Sequence, residues 1–276
     1  MATVVRSFAI QGIDGYPVDI EVKMLEGQPV ISIIGLGDQA VKEAAERIQA
    51  AIDESGYVFP KKRVIVSLAP SDKKKIGSHF DLAMAVGVLC QNGDIGVKKL
   101  SDYGFIGELS LDGRLRACRG ILPMIIAGQK RGMKKIIVPE ANLKEASLVH
   151  GVEILGFHDL TGVIRHLEGQ SAGMETHIEE DGNILDEADR ILDFKDVKGQ
   201  DELIEAVVLA AAGGHNMLMV GELGCGKTMI AQRIPTILPE MTEEECLEVT
   251  KIYSISGLLP NGHALMKYRP FRAPSS

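Results

Sequence analysis

The sequence predicts an α/β protein of two domains, and three observations carry that expectation. Short strand-like runs alternate with helical patterns along residues 1–167. A polar, acidic stretch without sustained periodicity interrupts them at 168–190. A glycine-rich loop then stands between a strand-like run and a helix-like run at 216–234. A length of 276 residues fits about two domains, and 45% apolar content suffices for a packed core.

The elements follow in order. Val18–Val22 alternates apolar with acidic residues, as a half-buried strand does. Val30–Ile34 is a more buried strand, closed by Gly35-Leu36-Gly37. Asp38 caps a helix in which Ala40, Val41, Ala44, Ala45, Ile48, Ala51 and Ile52 recur at helical spacing. Arg63–Leu68 is a strand ended by Pro70, and Asp81–Leu89 an apolar helix. Phe105–Leu115 reads as a hairpin turning at Asp112-Gly113. Ile121–Arg131 is a helix stopped by Gly132, and Lys135–Pro139 a strand. The stretch 168–190 is expected to be a linker between domains 1–167 and 191–276. Beyond it, Gln200–Ala212 is a helix with Gly213-Gly214 past its end. It leads into Asn216–Val220, read as a short apolar strand.

The eight residues Gly221, Glu222, Leu223, Gly224, Cys225, Gly226, Lys227 and Thr228 satisfy G-x-x-x-x-G-K-[ST]. Glycines let the chain fold so tightly that successive N–H groups converge on phosphate oxygens, and the helix N-terminus adds partial positive charge. Lys227 is expected to reach the β/γ-phosphates of ATP, and Thr228 to hold Mg²⁺. The alternative, a glycine-rich turn that merely contains Lys and Thr, fits the flanks less well. A hydrolase of this type also needs a second acidic motif at a strand end. The acids after the loop are Glu240, Glu243, Glu244, Glu245 and Glu248. Thr242 and Glu245 form a capping box, so most of these belong to a helix start. The sequence is therefore expected to stop inside its nucleotide-hydrolysing domain.

Composition excludes several classes. No apolar run approaches the ~20 residues of a membrane span, and the N-terminus lacks a signal-peptide pattern. Four scattered cysteines form no metal-ligand grouping and suit a reducing cytoplasm. The net charge of −8 is uneven: residues 1–167 carry 21 basic and 19 acidic side chains, the remainder 9 and 19. Basic clusters stand at Lys61-Lys62-Arg63, Lys73-Lys74-Lys75, Arg114/Arg116/Arg119 and Lys130–Lys135. They read either as a nucleic-acid face or as solvated loops and helix ends, and the sequence alone favours the second.

Further segments carry a resemblance. They are Arg6–Ile10 with Gly12–Gly15, Gly35-Leu36-Gly37-Asp38, Gly77-Ser78-His79-Phe80-Asp81-Leu82, Asp196–Gln200, Ala211–Asn216, the loop, and Arg269–Pro274. In that order they resemble the ComM/YifB family of bacterial magnesium-chelatase-like AAA+ ATPases, over nearly the whole chain apart from the linker. The resemblance implies a first domain similar in fold to the Lon proteolytic domain, followed by the start of an AAA+ module. Family members are hexameric motors, and ComM is similar to branch-migration helicases acting on recombining DNA. By the same resemblance Val197, Gly199 and Gln200 line the adenine, and DNA is met by the basic first domain.

Three departures stand out: Glu222-Leu223 where the family has Pro-Pro, Cys225 where it has Thr or Ser, and Ser275-Ser276 where it has His-His. A thiol at a helix start beside Lys227 suits reactivity, but an inert replacement for Thr is the preferred reading. The family's second acidic motif, sensor, arginine finger and lid are missing, so ATP binding is expected without complete hydrolytic machinery. Laid on the Lon pattern, His79 falls at the nucleophilic serine, with Ser78 one position off, and Met124 at the lysine. No peptidase is expected, and no catalytic residue is assigned. The alternatives are a metal-chelatase-type ATPase subunit and a non-enzymatic interaction module.

Overall fold

The computed structural model describes residues 2–170, 192–259 and 265–273. The chain divides into two compact units, one of Met1–Ile178 with Thr250–Ala264, the other of Glu179–Val249 with Leu265–Ser276. The division thus gives Thr250–Ala264 to the first unit. Apart from Glu168–Gln170, the expected linker lies outside the described residues.

A mixed sheet forms the first unit. Its centre is the hairpin of β1 (Thr3–Gln11) and β2 (Asp14–Leu25), paired from Thr3↔Val22 to Gln11↔Asp14. Gly12, at φ 65°, makes the two-residue turn possible. β3 (Ile31–Ile34) and β4 (Arg63–Ala69) extend one side. On the other side, β5 (Tyr103–Phe105), β8 (Lys135–Pro139) and β9 (Glu153–Phe157) are parallel to β1 and to one another. The strand order is therefore β3-β4-β2-β1-β5-β8-β9. The hairpin expected at 105–115 is shorter than its pattern: β6 (Glu108–Leu109) pairs with β7 (Leu115–Arg116), while Phe105 belongs to the main sheet.

Helices cover the hairpin on both faces. Helix α3 (Asp81–Asn92) is buried from Asp81 to Cys90, and Gly87 sits where a Cβ would come 2.7 Å from a Val22 methyl. Gly93, at φ 94°, ends it, with Asp94 N–H donating to the Leu89 carbonyl at 3.0 Å. Helix α4 (Ile121–Lys130) covers the other face, and a Cβ on Gly15 would lie 2.1 Å from the Pro123 carbonyl oxygen. The helix expected across 40–52 is split into α1 (Gln39–Lys42) and α2 (Ala44–Glu54), with Glu43 ending one and preceding the other. Short α5 (Leu143–Ala146) and α6 (Leu160–Leu167) complete this unit's named α-helices among the described residues, alongside the C-terminal part of a helix that begins in the second unit.

Two segments that are distant in sequence clasp each other. Asp38 Oδ1 accepts the Val41 N–H at 3.0 Å as a helix cap, and Oδ2 accepts the Gly77 N–H at 3.2 Å. The Asp38 N–H donates to the Lys75 carbonyl at 2.9 Å, and the Lys75 N–H to the Leu36 carbonyl at 3.0 Å. Lys75, expected in a basic surface cluster, is instead fully buried. Its ammonium donates to the carbonyls of Lys73, at 2.8 Å, and of Pro70. Loop carbonyls replace the water a lysine would otherwise keep.

In the second unit, Val197, Val207 and Ile230 make a small core joined by Phe194, Leu203, Ile204, Met217, Met219, Ile234 and Ile237. Its helices are α7 (Asp201–Ala212), α8 (Lys227–Arg233) and the start of α9 (Glu243–Ser256). The expected strand at Asn216–Val220 does not form. Met217 and Met219 pack on the core while Leu218 and Val220 are 88% and 87% exposed, so strand-like alternation persists without a ladder. Among the described residues of this unit no strand lies beside the run to supply its hydrogen bonds.

The clasp generates a test. Asp38→Ala removes a cap and the acceptor for Gly77, and should lower unfolding free energy by about 1–3 kcal/mol. Asp38→Asn, which still caps, should lose less than half of that. Urea unfolding measures both; an alanine variant as stable as the parent would show that the clasp supports nothing.

Candidate functional site

The loop Gly221–Thr228 enters α8 through two left-handed glycines, Gly224 at φ 84° and Gly226 at φ 87°. Any other residue there would be strained. Gly226 is the N-cap, and its carbonyl accepts the first intrahelical bond from Ile230 N–H at 3.0 Å. A Cβ on Gly221 would lie 2.8 Å from Cys225 Sγ, so a side chain there would displace that sulfur.

Lys227 folds back over this loop. Its ammonium donates to the carbonyls of Gly221 at 2.8 Å and Glu222 at 2.7 Å, and approaches Cys225 Sγ at 3.4 Å. The cation is thereby held among backbone groups at the N-terminus of a helix, where an anion is also stabilised. Thr228 is exposed on the first turn, and Glu222 and Leu223 are exposed on the loop. The donor set suits a nucleotide triphosphate with Mg²⁺: one ammonium, one hydroxyl and the amides of a glycine loop.

The structure brings one distant residue to the loop. Gln200, at φ 65°, stands at the N-terminus of α7, and its Nε2 donates to the Cys225 carbonyl at 3.2 Å. Gly199, at φ 70°, gives the turn before it. Val197 points elsewhere, into the small core at 8% exposure. If it meets a base, it does so through its backbone.

Sequence reasoning missed Arg233. This largely buried side chain donates to the Asp193 carbonyl and the Met229 carbonyl, both at 3.0 Å, and lies 3.7 Å from Asp196. It ties the short 3₁₀ turn Phe194–Asp196 to α8. The available signal was one arginine within the apolar run Met229–Ile234. The capping box is confirmed, with Thr242 N–H on Glu245 at 3.0 Å and Glu245 N–H on the Thr242 hydroxyl at 3.2 Å. Arg269 also reaches Glu245, at 3.0 Å.

All four cysteines are free. Cys225 is exposed, whereas burial pushes the Cys90 and Cys118 thiols up to about 12. Among the described residues no three His, Cys, Asp or Glu side chains gather as a metal site, and no helix is long and apolar enough to cross a membrane.

Several members of the basic clusters of the first unit face acids. Lys62 faces Glu26 at 3.4 Å, Arg114 faces Asp112 at 3.3 Å, and Arg116 faces Glu108 at 3.5 Å. Lys134 faces Asp102 at 3.7 Å and Lys135 faces Glu153 at 2.7 Å. Lys73 lies 4.5 Å from the centre of the Tyr16 ring, a cation–π contact.

Comparison with known proteins agrees along the chain. A family model described as subunit ChlI of Mg-chelatase matches residues 20–142, and one described as magnesium chelatase, subunit ChlI, matches residues 193–276. An uncharacterized protein of Mycobacterium tuberculosis is 39% identical over 97% of this chain and 52% of its own length. Competence protein ComM of Haemophilus influenzae is 37% identical over 98% of this chain and 53% of its own. Uncharacterized protein YifB of Escherichia coli is 36% identical over 99% and 53%. The chain spans about half the length of these curated relatives. Lon protease of Trichlorobacter lovleyi is 27% identical over 51% of this chain and 18% of its own length.

His79, which the sequence pattern lays on Lon's nucleophilic serine, packs and hydrogen-bonds inside the first unit. His79 is 8% exposed, and its Nε2 donates to the Phe8 carbonyl at 2.9 Å. Burial pushes its pKa down from 6.5 to about 4, so it stays neutral at neutral pH. Ser78 donates to Glu108, and Met124 is fully buried. The depressed pKa has a measurable consequence. Between pH 6.5 and 4 the unfolded chain takes up this proton more readily than the folded one. Stability present above pH 6.5 is therefore lost as pH falls toward 4, by roughly 3 kcal/mol at most. Urea unfolding from pH 7.5 to 4.5 should show a shallower loss for His79→Gln than for the parent; parallel curves would deny His79 this role.

Proposed function

Because the chain belongs to the ComM/YifB family of magnesium-chelatase-like AAA+ proteins, we propose that Gly221–Thr228 binds ATP with Mg²⁺ in the service of DNA processing. The supporting observation is the loop itself: two left-handed glycines leading into α8, with the Lys227 ammonium held on the carbonyls of Gly221 and Glu222. ATP offers Lys227 stronger acceptors than those carbonyls. Loop amides orient the phosphates, Thr228 contributes the protein's ligand to Mg²⁺, and Gly199 and Gln200 border the base. Bound ATP with Mg²⁺ supplies a transferable phosphoryl group. Residues 1–167 form the DNA-facing domain in this reading, and 191–276 the nucleotide-binding one, in a cytoplasmic protein.

Binding is expected to exceed turnover. No strand end among the described residues of the second unit offers an acid beside the loop, and hydrolysis needs such an acid to position Mg²⁺ and water. The ComM-like reading is preferred to a chelatase subunit because identity of 36–37% to ComM and YifB runs over 98–99% of this chain. Calorimetry should find weak Mg·ATP binding that Lys227→Ala abolishes, with phosphate release at background for both. ATP affinity unchanged in Lys227→Ala would remove the loop from nucleotide binding.

DNA binding by the first unit would be electrostatic and salt-dependent. Lys75 is buried and belongs to the fold, so the informative variant is Lys73→Ala with Lys74→Ala. It should weaken binding to forked DNA and reduce the slope of log affinity on log salt by about one unit for each phosphate no longer neutralised. An unchanged slope would return those lysines to plain surface.

A further inference from the structure

Helix α9 ends in the first unit, which includes Thr250–Ala264. Three features of that unit fit this end. The Ser254 carbonyl lies in the last turn, where helix carbonyls lack intrahelical partners. It accepts the N–H of Gly120 at 3.0 Å, and Gly120 is the N-cap of α4. The carbonyl end of one helix thus meets the amide end of another, an arrangement their dipoles favour. The Lys251 ammonium lies 2.9 Å from Asp14 Oδ1, and its side chain is only 14% exposed. Thr250 and Ser254 are buried at 0% and 3% exposure, so one face of this turn is small, polar and covered.

The helix then stops with a defined geometry. Gly257, at φ 67°, donates to the Ser254 carbonyl at 3.2 Å, and Leu258 N–H donates to the Tyr253 carbonyl at 3.0 Å. This is the Schellman pattern, which needs glycine at that position. Arg119 fills the space beside it, since a Cβ on Gly257 would lie 2.6 Å from Arg119 Nε.

We propose that Thr250–Gly257 is a helical strap that the first unit binds as it would a peptide ligand, through Asp14, Arg119 and Gly120. The surface selects a short helix with a lysine on one side, small polar residues on the buried face and glycine at its C-terminal end. The Lys251–Asp14 ion pair and the Gly120–Ser254 backbone hydrogen bond are among the contacts that hold the strap, and it detaches as a piece while the sheet stays folded. The proposal stands apart from nucleotide binding, because none of its residues belongs to the loop.

Hydrogen exchange on the full chain tests it. In the parent protein the Gly120 amide and the segment 250–257 should be protected together. Lys251→Glu places like charges opposite each other and should speed exchange at both by about tenfold. Asp14→Lys combined with Lys251→Glu should restore protection. Gly257→Val should release the strap by a different route, through its helix end and Arg119. If neither Lys251→Glu nor Gly257→Val changes exchange at Gly120, the proposal fails. Should either variant not fold, the parent decides: an unprotected Gly120 amide there overturns the strap.

Discussion

Close approach at the β1–β2 hairpin governs the first unit. Both faces of the hairpin are covered, and glycine stands where the layers touch: Gly87 against Val22 and Gly15 against Pro123. Gly128 likewise has Phe8 and Ile136 where a side chain would begin, at 2.9 and 2.5 Å. A methyl at any of these points must push a helix off the sheet, and close-packed interiors have little slack to absorb it. The position of α4 is thus set by the hairpin, and with it the Gly120 amide at its start.

Two of the segments that carry the family likeness prove to be halves of one arrangement. Gly35–Asp38 and Gly77–Asp81 meet around Lys75, joined by Asp38 from one side and by backbone pairing from the other. Asp81 continues the arrangement inward. It is fully buried, receives two hydrogen bonds from Arg47 at 2.7 and 3.1 Å, and accepts the Leu109 N–H at 3.3 Å. What reads in sequence as a string of short motifs is here structural support.

Local chemistry was legible in the sequence, and distant pairing was not. Asp38 as a cap, Gly132 as a helix end, the Thr242–Glu245 box and the glycine loop each depend on neighbours a few residues away. The burial of Lys75 escapes the sequence because a run of lysines gives no hint that the chain will curl around the third. Asn216–Val220 misleads for the opposite reason: its alternation is real, but a strand is completed by partners that no local pattern specifies. Resemblance places Gln200 near the base, yet its bond to the Cys225 carbonyl required the fold to bring residues 25 apart in sequence together.

The cysteines lend themselves to chemistry at the bench. Cys90 and Cys246 are enclosed, and burial leaves Cys118 as a thiol far into the alkaline range. Cys225 is the exposed one of the four, Cys118 being half-buried, and its sulfur lies 3.4 Å from the Lys227 ammonium. A maleimide dye on the unmodified sequence would therefore settle on the loop without engineering. Its emission would report movement of the very lysine on which the nucleotide reading turns, making this protein its own fluorescent sensor.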